Sequence, residues 1–195
     1  MTSKQAGSFH LRPTSQLIVR LVTFLLVSGL SNCGAGNFLT QAQGLNEYQV
    51  KAAFILNFAR FVDWPGDAFG DGGSLVVGVV GDDPFSGALD QLSGNTVNGR
   101  RLTIRRLRAS DDLRACQILF VSSSERNRLA KIIESIRGGS VLTIGELPQF
   151  NQVGGIIKFV VRDNRVRFEI NTGAAGQARL RISSKLLALS KGGRN

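Results

Sequence analysis

Leu75-Val76-Val77-Gly78-Val79-Val80-Gly81-Asp82-Asp83-Pro84-Phe85 decides the fold. Six apolar residues without alternation mark a strand buried on both faces, the kind found in parallel sheets covered by helices. Gly81 allows a tight turn, Asp83 is a good helix cap, and Pro84 suits a first helical position, so a helix is expected from about Pro84 to Leu92. The same grammar recurs downstream. Leu102 to Leu107 and Cys116 to Val121 are strands, Ser123-Ser124-Glu125 opens a helix through Ile136, Gly138-Gly139 ends it, and Val141 to Ile144 is a further strand. Strands alternating with helices give a mainly parallel sheet with helices on both faces.

Upstream, Asn46 is a candidate cap for a helix beginning at Glu47. Val50, Phe54, Phe58 and Phe61 recur at helical spacing, Ala53, Leu56 and Val62 broaden that face, and Trp64-Pro65-Gly66 ends the helix. Its aromatic residues read as core anchors rather than a cofactor box. Towards the C-terminus, Ile156 to Arg162 and Arg165 to Asn171 flank Asp163-Asn164, a hairpin turn. Val166, Phe168 and Ile170 alternate with Arg165, Arg167, Glu169 and Asn171, so one face is core and the other polar. Helices follow at about Thr172 to Leu180 and Ser183 to Leu189. The expected fold is a single-domain α/β sandwich: a mainly parallel sheet, a C-terminal antiparallel hairpin and flanking helices.

The first 42 residues read as a secretory signal peptide. Met1 to Gln16 carries Lys4 and Arg12 and no acid, Leu17 to Leu30 is mostly apolar with one charge at Arg20, and Thr40-Gln41-Ala42 offers small residues for cleavage. The apolar run falls short of the roughly 20 residues that span a membrane. Leu30-Ser31-Asn32-Cys33 loosely matches a lipoprotein box with Asn32 out of place, which makes lipid anchoring at Cys33 a minor alternative. The expected mature domain is 43–195, in the periplasm.

Export removes catalytic options. The sole histidine, His10, lies in the leader. Without it there is no Ser-His-Asp triad, Cys-His pair or histidine metal ligand. Cys33 and Cys116 are the only cysteines, so Cys116 has no partner within the mature chain, and its apolar flanks point to an inert buried thiol. Losing Lys4, Arg12 and Arg20 lowers the net charge from +10 to +7. A basic exported domain favours acidic partners, and outside the cytoplasm nucleic acid is not expected among them. Arg100, Arg101, Arg105, Arg106 and Arg108 read first as a solvated sheet edge and second as a binding patch.

Gly81-Asp82-Asp83-Pro84 stands where open α/β sheets bind ligands. A dinucleotide site would need more glycines, and two carboxylates repel a phosphate, so no cofactor is expected and a capped turn is the simpler reading. Acid/base work by Asp82 or Asp83 stays open as a third reading, although adjacent residues rarely face one substrate together. The row Arg165, Arg167, Glu169 and Asn171 offers two guanidinium groups, a carboxylate and an amide to a charged ligand or partner loop. Equally, Arg167 and Glu169 are spaced to pair in solvent.

Six segments in order carry a resemblance: Tyr48 to Pro65 (YQVKAAFILNFARFVDWP), Gly81 to Phe85 (GDDPF), Thr96 to Arg101 (TVNGRR), Cys116 to Val121 (CQILFV), Gly155 to Asn171 (GIIKFVVRDNRVRFEIN) and Leu180 to Leu187 (LRISSKLL). Together they resemble the YfiR-like family of periplasmic proteins. The resemblance implies an α/β domain, often dimeric, without catalytic activity. It also implies a partner, the periplasmic sensor domain of an inner-membrane diguanylate cyclase held inactive by contact, with an outer-membrane lipoprotein relieving the inhibition. Family members often carry a second cysteine in the strand before GDDPF, able to pair with the equivalent of Cys116. Here that position matches Gly78, so the bridge cannot form. The leading expectation is therefore a periplasmic repressor. The alternative is a small-ligand module with a pocket near Trp64, Asp82, Asp83 and the Arg167–Asn171 strand.

Overall fold

The computed structural model describes residues 35–70 and 73–191, with side chains from Glu47 to Ser190. Most of the leader, with His10 and Cys33, lies outside the described residues. The first helix, α1 (Ala35–Phe61), begins well before Asn46, which is an interior residue rather than a cap. Extending a helix through Gly44 and Asn46 costs about 1 kcal/mol per unfavourable residue, less than nucleating a new one. α1 ends at Phe61, three residues before Trp64, and Val62, expected on its face, instead opens a two-residue strand β1 (Val62–Asp63).

β2 (Leu75–Val80) is the buried central strand. The helix expected from Pro84 is instead a series of turns closed by a 3-10 turn at Asp90–Leu92. Ser86 and Gly87 both adopt positive φ, 48° and 86°, which no right-handed helix tolerates. β3 (Thr96–Val97) and β4 (Arg100–Leu107) form a hairpin across Asn98-Gly99, both at positive φ as a two-residue primed turn requires. Then come β5 (Ile118–Val121), a 3-10 segment at Ser123–Arg128 running into α2 (Leu129–Ser135), and β6 (Leu142–Gly145). β7 (Ile157–Arg162) and β8 (Arg165–Ile170) turn at Asp163-Asn164, again with both φ positive. The chain closes with α3 (Thr172–Gln177), β9 (Arg181–Ile182), which pairs with β1, and α4 (Ser184–Lys191).

The main sheet has seven strands in the order β3-β4-β2-β5-β6-β7-β8. The five strands from β4 to β7 run parallel, and β3 and β8 are antiparallel additions at the two edges. The α/β fold with a C-terminal antiparallel hairpin is thus observed. One core layer joins α1, α3 and α4 to the sheet, and the other packs α2 with Leu107, Leu119, Val121 and Phe150 on the opposite face.

Most of the expected face of α1 packs on the core, with Phe58 buried and Phe54, Leu56 and Phe61 half-buried against it, but the face is shifted towards Ile55 and Ala59. Ala52, Ile55, Phe58 and Ala59 are buried, as is Val62 just beyond the helix, whereas Val50 and Ala53 face water. Both stripes have helical spacing, so periodicity could not choose between them. The aromatic residues of the hairpin hold Phe54 and Phe58 in the core. Phe58 meets Phe168 edge-on at 5.0 Å and Phe159 at 5.8 Å, while Phe54 meets Phe168 at 5.4 Å. Each such pair contributes roughly 0.5–1.5 kcal/mol beyond area burial.

Candidate functional site

Because β2, β5 and β6 are parallel, their carboxyl ends deliver Gly81-Asp82-Asp83, Ser122 to Ser124 and Glu146 to one end of the sheet. Open α/β sheets bind their ligands there. Gly81 sits at φ 89°, and a Cβ would lie 2.5 Å from Ser124 Oγ, so this turn requires glycine. The Asp82 backbone N–H donates to Ser124 Oγ at 2.9 Å, and the Asp82 side chain is exposed. Asp83 is engaged on both oxygens. Oδ1 accepts from the Phe85 N–H at 2.8 Å, which closes the turn, and Oδ2 accepts from Arg106 Nε at 2.9 Å. Arg106 also grips both oxygens of Asp90. That contact holds the Asp90 carboxyl below the ordinary carboxylate range.

Beside this turn lies a cluster absent from the sequence reading. Lys51 on α1 is only 2 % exposed. Its ammonium donates to Glu146 Oε2 at 2.5 Å, forms an ion pair with Glu47 at 2.5 Å, and sits 4.2 Å from the centre of the Tyr48 ring. The Tyr48 hydroxyl donates to Glu146 Oε1 at 2.8 Å, and its ring meets Phe85 edge-on at 5.5 Å. Tyr48 therefore connects the GDDPF turn to the end of β6. Burial, then the Glu146 charge and hydrogen bond, then Glu47, push the phenol well above its usual value. An open cavity of about 570 Å³ adjoins the cluster, lined among others by Glu47, Lys51, Glu146, Lys158 and Val161. The Glu47–Lys51 spacing was a readable helical pair. Glu146, nearly a hundred residues away, carried no local signal.

The other predicted residues are dispersed. Trp64 lies at the opposite, amino end of the sheet. Its indole N–H donates to the Gln117 carbonyl at 3.2 Å, just before β5, and its ring packs on Phe69. Trp64 and the two aspartates therefore do not share a pocket. Arg165, Arg167 and Glu169 project from one face of the hairpin, as expected. Glu169 pairs with Lys158 at 2.9 Å and with Arg162 at 2.9 Å. Through Lys158 it reaches the carboxyl-end cavity. Asn171 is committed to structure: Oδ1 caps α3 at the Ala174 N–H, and its amide donates to the Asn151 carbonyl, both at 3.0 Å.

Cys116 is buried and unpaired, and burial pushes its thiol up to about 11. A Cβ placed on Gly78 would lie 2.7 Å from its sulfur. Gly78 thus occupies the position from which a second cysteine would reach it. Among the described residues no group of three or more histidine, cysteine, aspartate or glutamate side chains is arranged to hold a metal ion.

These features define a class: an α/β domain with a charged, aromatic-backed carboxyl end to its sheet. The chain matches the family model described as YfiR/HmsC-like over residues 48–191, and it belongs to that family. The family is regulatory rather than catalytic, is associated with cyclic di-GMP signalling, and acts through protein partners. A conserved domain protein from Vibrio cholerae O1 biovar El Tor strain N16961, known from its crystal structure, resembles the chain with a TM-score of 0.50 and 12 % identity. The similarity covers 73 % of this chain and 58 % of that one, less than two thirds of its length, and concerns the fold alone. A comparison with curated proteins finds no significant match. Among the described residues no helix is long and apolar enough to cross a membrane.

Proposed function

We propose that the chain is exported to the periplasm by its leader and there represses an inner-membrane diguanylate cyclase by binding the enzyme's periplasmic sensor domain. Membership of the YfiR/HmsC-like family over residues 48–191 carries this reading. The carboxylates of Asp83, Glu125 and Glu146 are each tied into an ion pair within the chain. The mechanism is a population shift, in which each ~1.4 kcal/mol of preference for the sensor's inactive state changes its ratio to the active state tenfold. The test is intracellular cyclic di-GMP with and without the gene. A rise on deletion, reversed by the exported chain and not by a leaderless one, is expected; an unchanged level sinks the repressor role.

A second reading, a small-ligand module, draws on the open cavity beside Lys51 and Lys158. Thermal stabilisation by an anionic or amphipathic metabolite, lost in Lys158→Ala, would support it. Uniform failure across a metabolite screen would remove it.

A further inference from the structure

We propose that the outer edge of β4 is a docking site for an extended acidic segment of a protein partner, which adds there as a strand. β4 pairs with β2 from Leu102 to Leu107, but on its other side β3 covers only Arg100 and Arg101. The Leu102 N–H donates to the Asn95 carbonyl, and the Leu102 carbonyl accepts from the Gly94 N–H, so Leu102 turns its backbone groups outward. In a ladder alternate residues face alternate sides, so Ile104, Arg106 and Arg108 turn outward as well. Arg108 is closed by a local turn: its N–H donates to Asp111 Oδ2 and its carbonyl accepts from the Asp111 N–H. Between these two closures, Ile104 and Arg106 present outward N–H and C=O groups that no strand among the described residues meets.

The side chains select what can fill this notch. Arg106 is held by Asp83 and Asp90, and Arg100 donates to the Gly73 carbonyl while stacking on Phe69 at 3.7 Å. Arg101, Arg105 and Arg108 are exposed and make no ion pair among the described residues. Arg101 and Arg105 share one face of β4, about 13 Å apart at strand spacing. A partner strand with acidic residues on that side gains charge-assisted contacts along with the two open backbone pairs. A second copy of β4 would instead set arginine against arginine. The charges that keep this edge from pairing with itself are thus the ones that choose an acidic strand. The proposal holds whichever enzyme the chain regulates.

The test uses the full chain and a fluorescent peptide of alternating glutamate and valine, followed by anisotropy at low and high salt. Binding is expected for this peptide and not for its lysine–valine counterpart. It should weaken at least about tenfold, roughly one RT ln 10 step, in R101E/R105E and in I104P. Ile104→Pro removes an outward N–H and no charge, a change edge strands accept. Trp64 fluorescence confirms folding. A peptide N-methylated on alternate amides repeats the backbone test without altering the protein, and it too should lose binding. Unchanged binding of that peptide would overturn the proposal, leaving a merely electrostatic patch. So would binding to phosphatidylglycerol vesicles without peptide binding, or self-association through this edge that R101E/R105E abolishes.

Discussion

Lys51 and Arg106 each bridge two carboxylates at the carboxyl end of the sheet, one from inside the protein and the other from its surface. The Lys51 side chain is 3 % exposed, that of Arg106 42 %. An exposed pair contributes at most about 1 kcal/mol, because water and salt offer each charge an alternative. A buried ammonium has no alternative, so removing one of its partners costs several times more. Similar chemistry therefore acts as a structural requirement in one place and as a loose tether in the other.

Glu146→Ala is the strongest way to break this comparison. It leaves Lys51 with Glu47 alone and the Tyr48 hydroxyl without its acceptor, and a loss of about 3 kcal/mol is expected. Denaturant unfolding followed by the fluorescence of Trp64, the only tryptophan, measures it. A loss under ~1 kcal/mol would place the buried cluster in the same range as the surface one.

Tyr48 sharpens the contrast through pH. The folded protein holds its phenol neutral above the ordinary value of 10.0. The resulting stability is whole below about pH 10 and drains away as pH rises towards the folded value, because the unfolded chain loses that proton first. Tyr48 is the only tyrosine, so tyrosinate absorbance reports it alone and should appear together with unfolding. Tyr48→Phe should cost about 1 kcal/mol at neutral pH and flatten the alkaline decline. Tyrosinate forming in protein that is still folded would show that water reaches the cluster.

Asp90→Asn should produce the smallest effect, about 0.5 kcal/mol or less and weaker still at high salt. Asp90's lowered value places its contribution above the ordinary carboxylate range, to be lost as pH falls through that lowered value. Urea midpoints across acidic pH compare the two proteins, and a large salt-independent loss would contradict the surface reading.

Sequence carried most of the sheet. Leu75 to Val80, Cys116 to Val121 and the Asp163-Asn164 hairpin were legible because burial and turn chemistry are local. The Pro84 helix failed because Asp83 and Pro84 mark a turn as well as they mark a helix start, and Ser86-Gly87 decided between them. The packed face of α1 meets phenylalanines a hundred residues away. The site was less legible for the same reason: Asp82 and Asp83 could be placed at a strand end, but Lys51, Tyr48 and Glu146 meet only through the tertiary fold. Trp64 was drawn to the wrong end because sequence nearness says nothing of which end of a sheet a residue caps.

The buried thiol opposite Gly78 also gives the chain a built-in clock. Alkylating reagents attack the thiolate, and a sulfhydryl raised to about 11 and shut inside the core offers them almost none at neutral pH. Modification of Cys116 must therefore wait for the domain to open. Its rate, read by mass spectrometry on undamaged protein without denaturant, follows how often that happens.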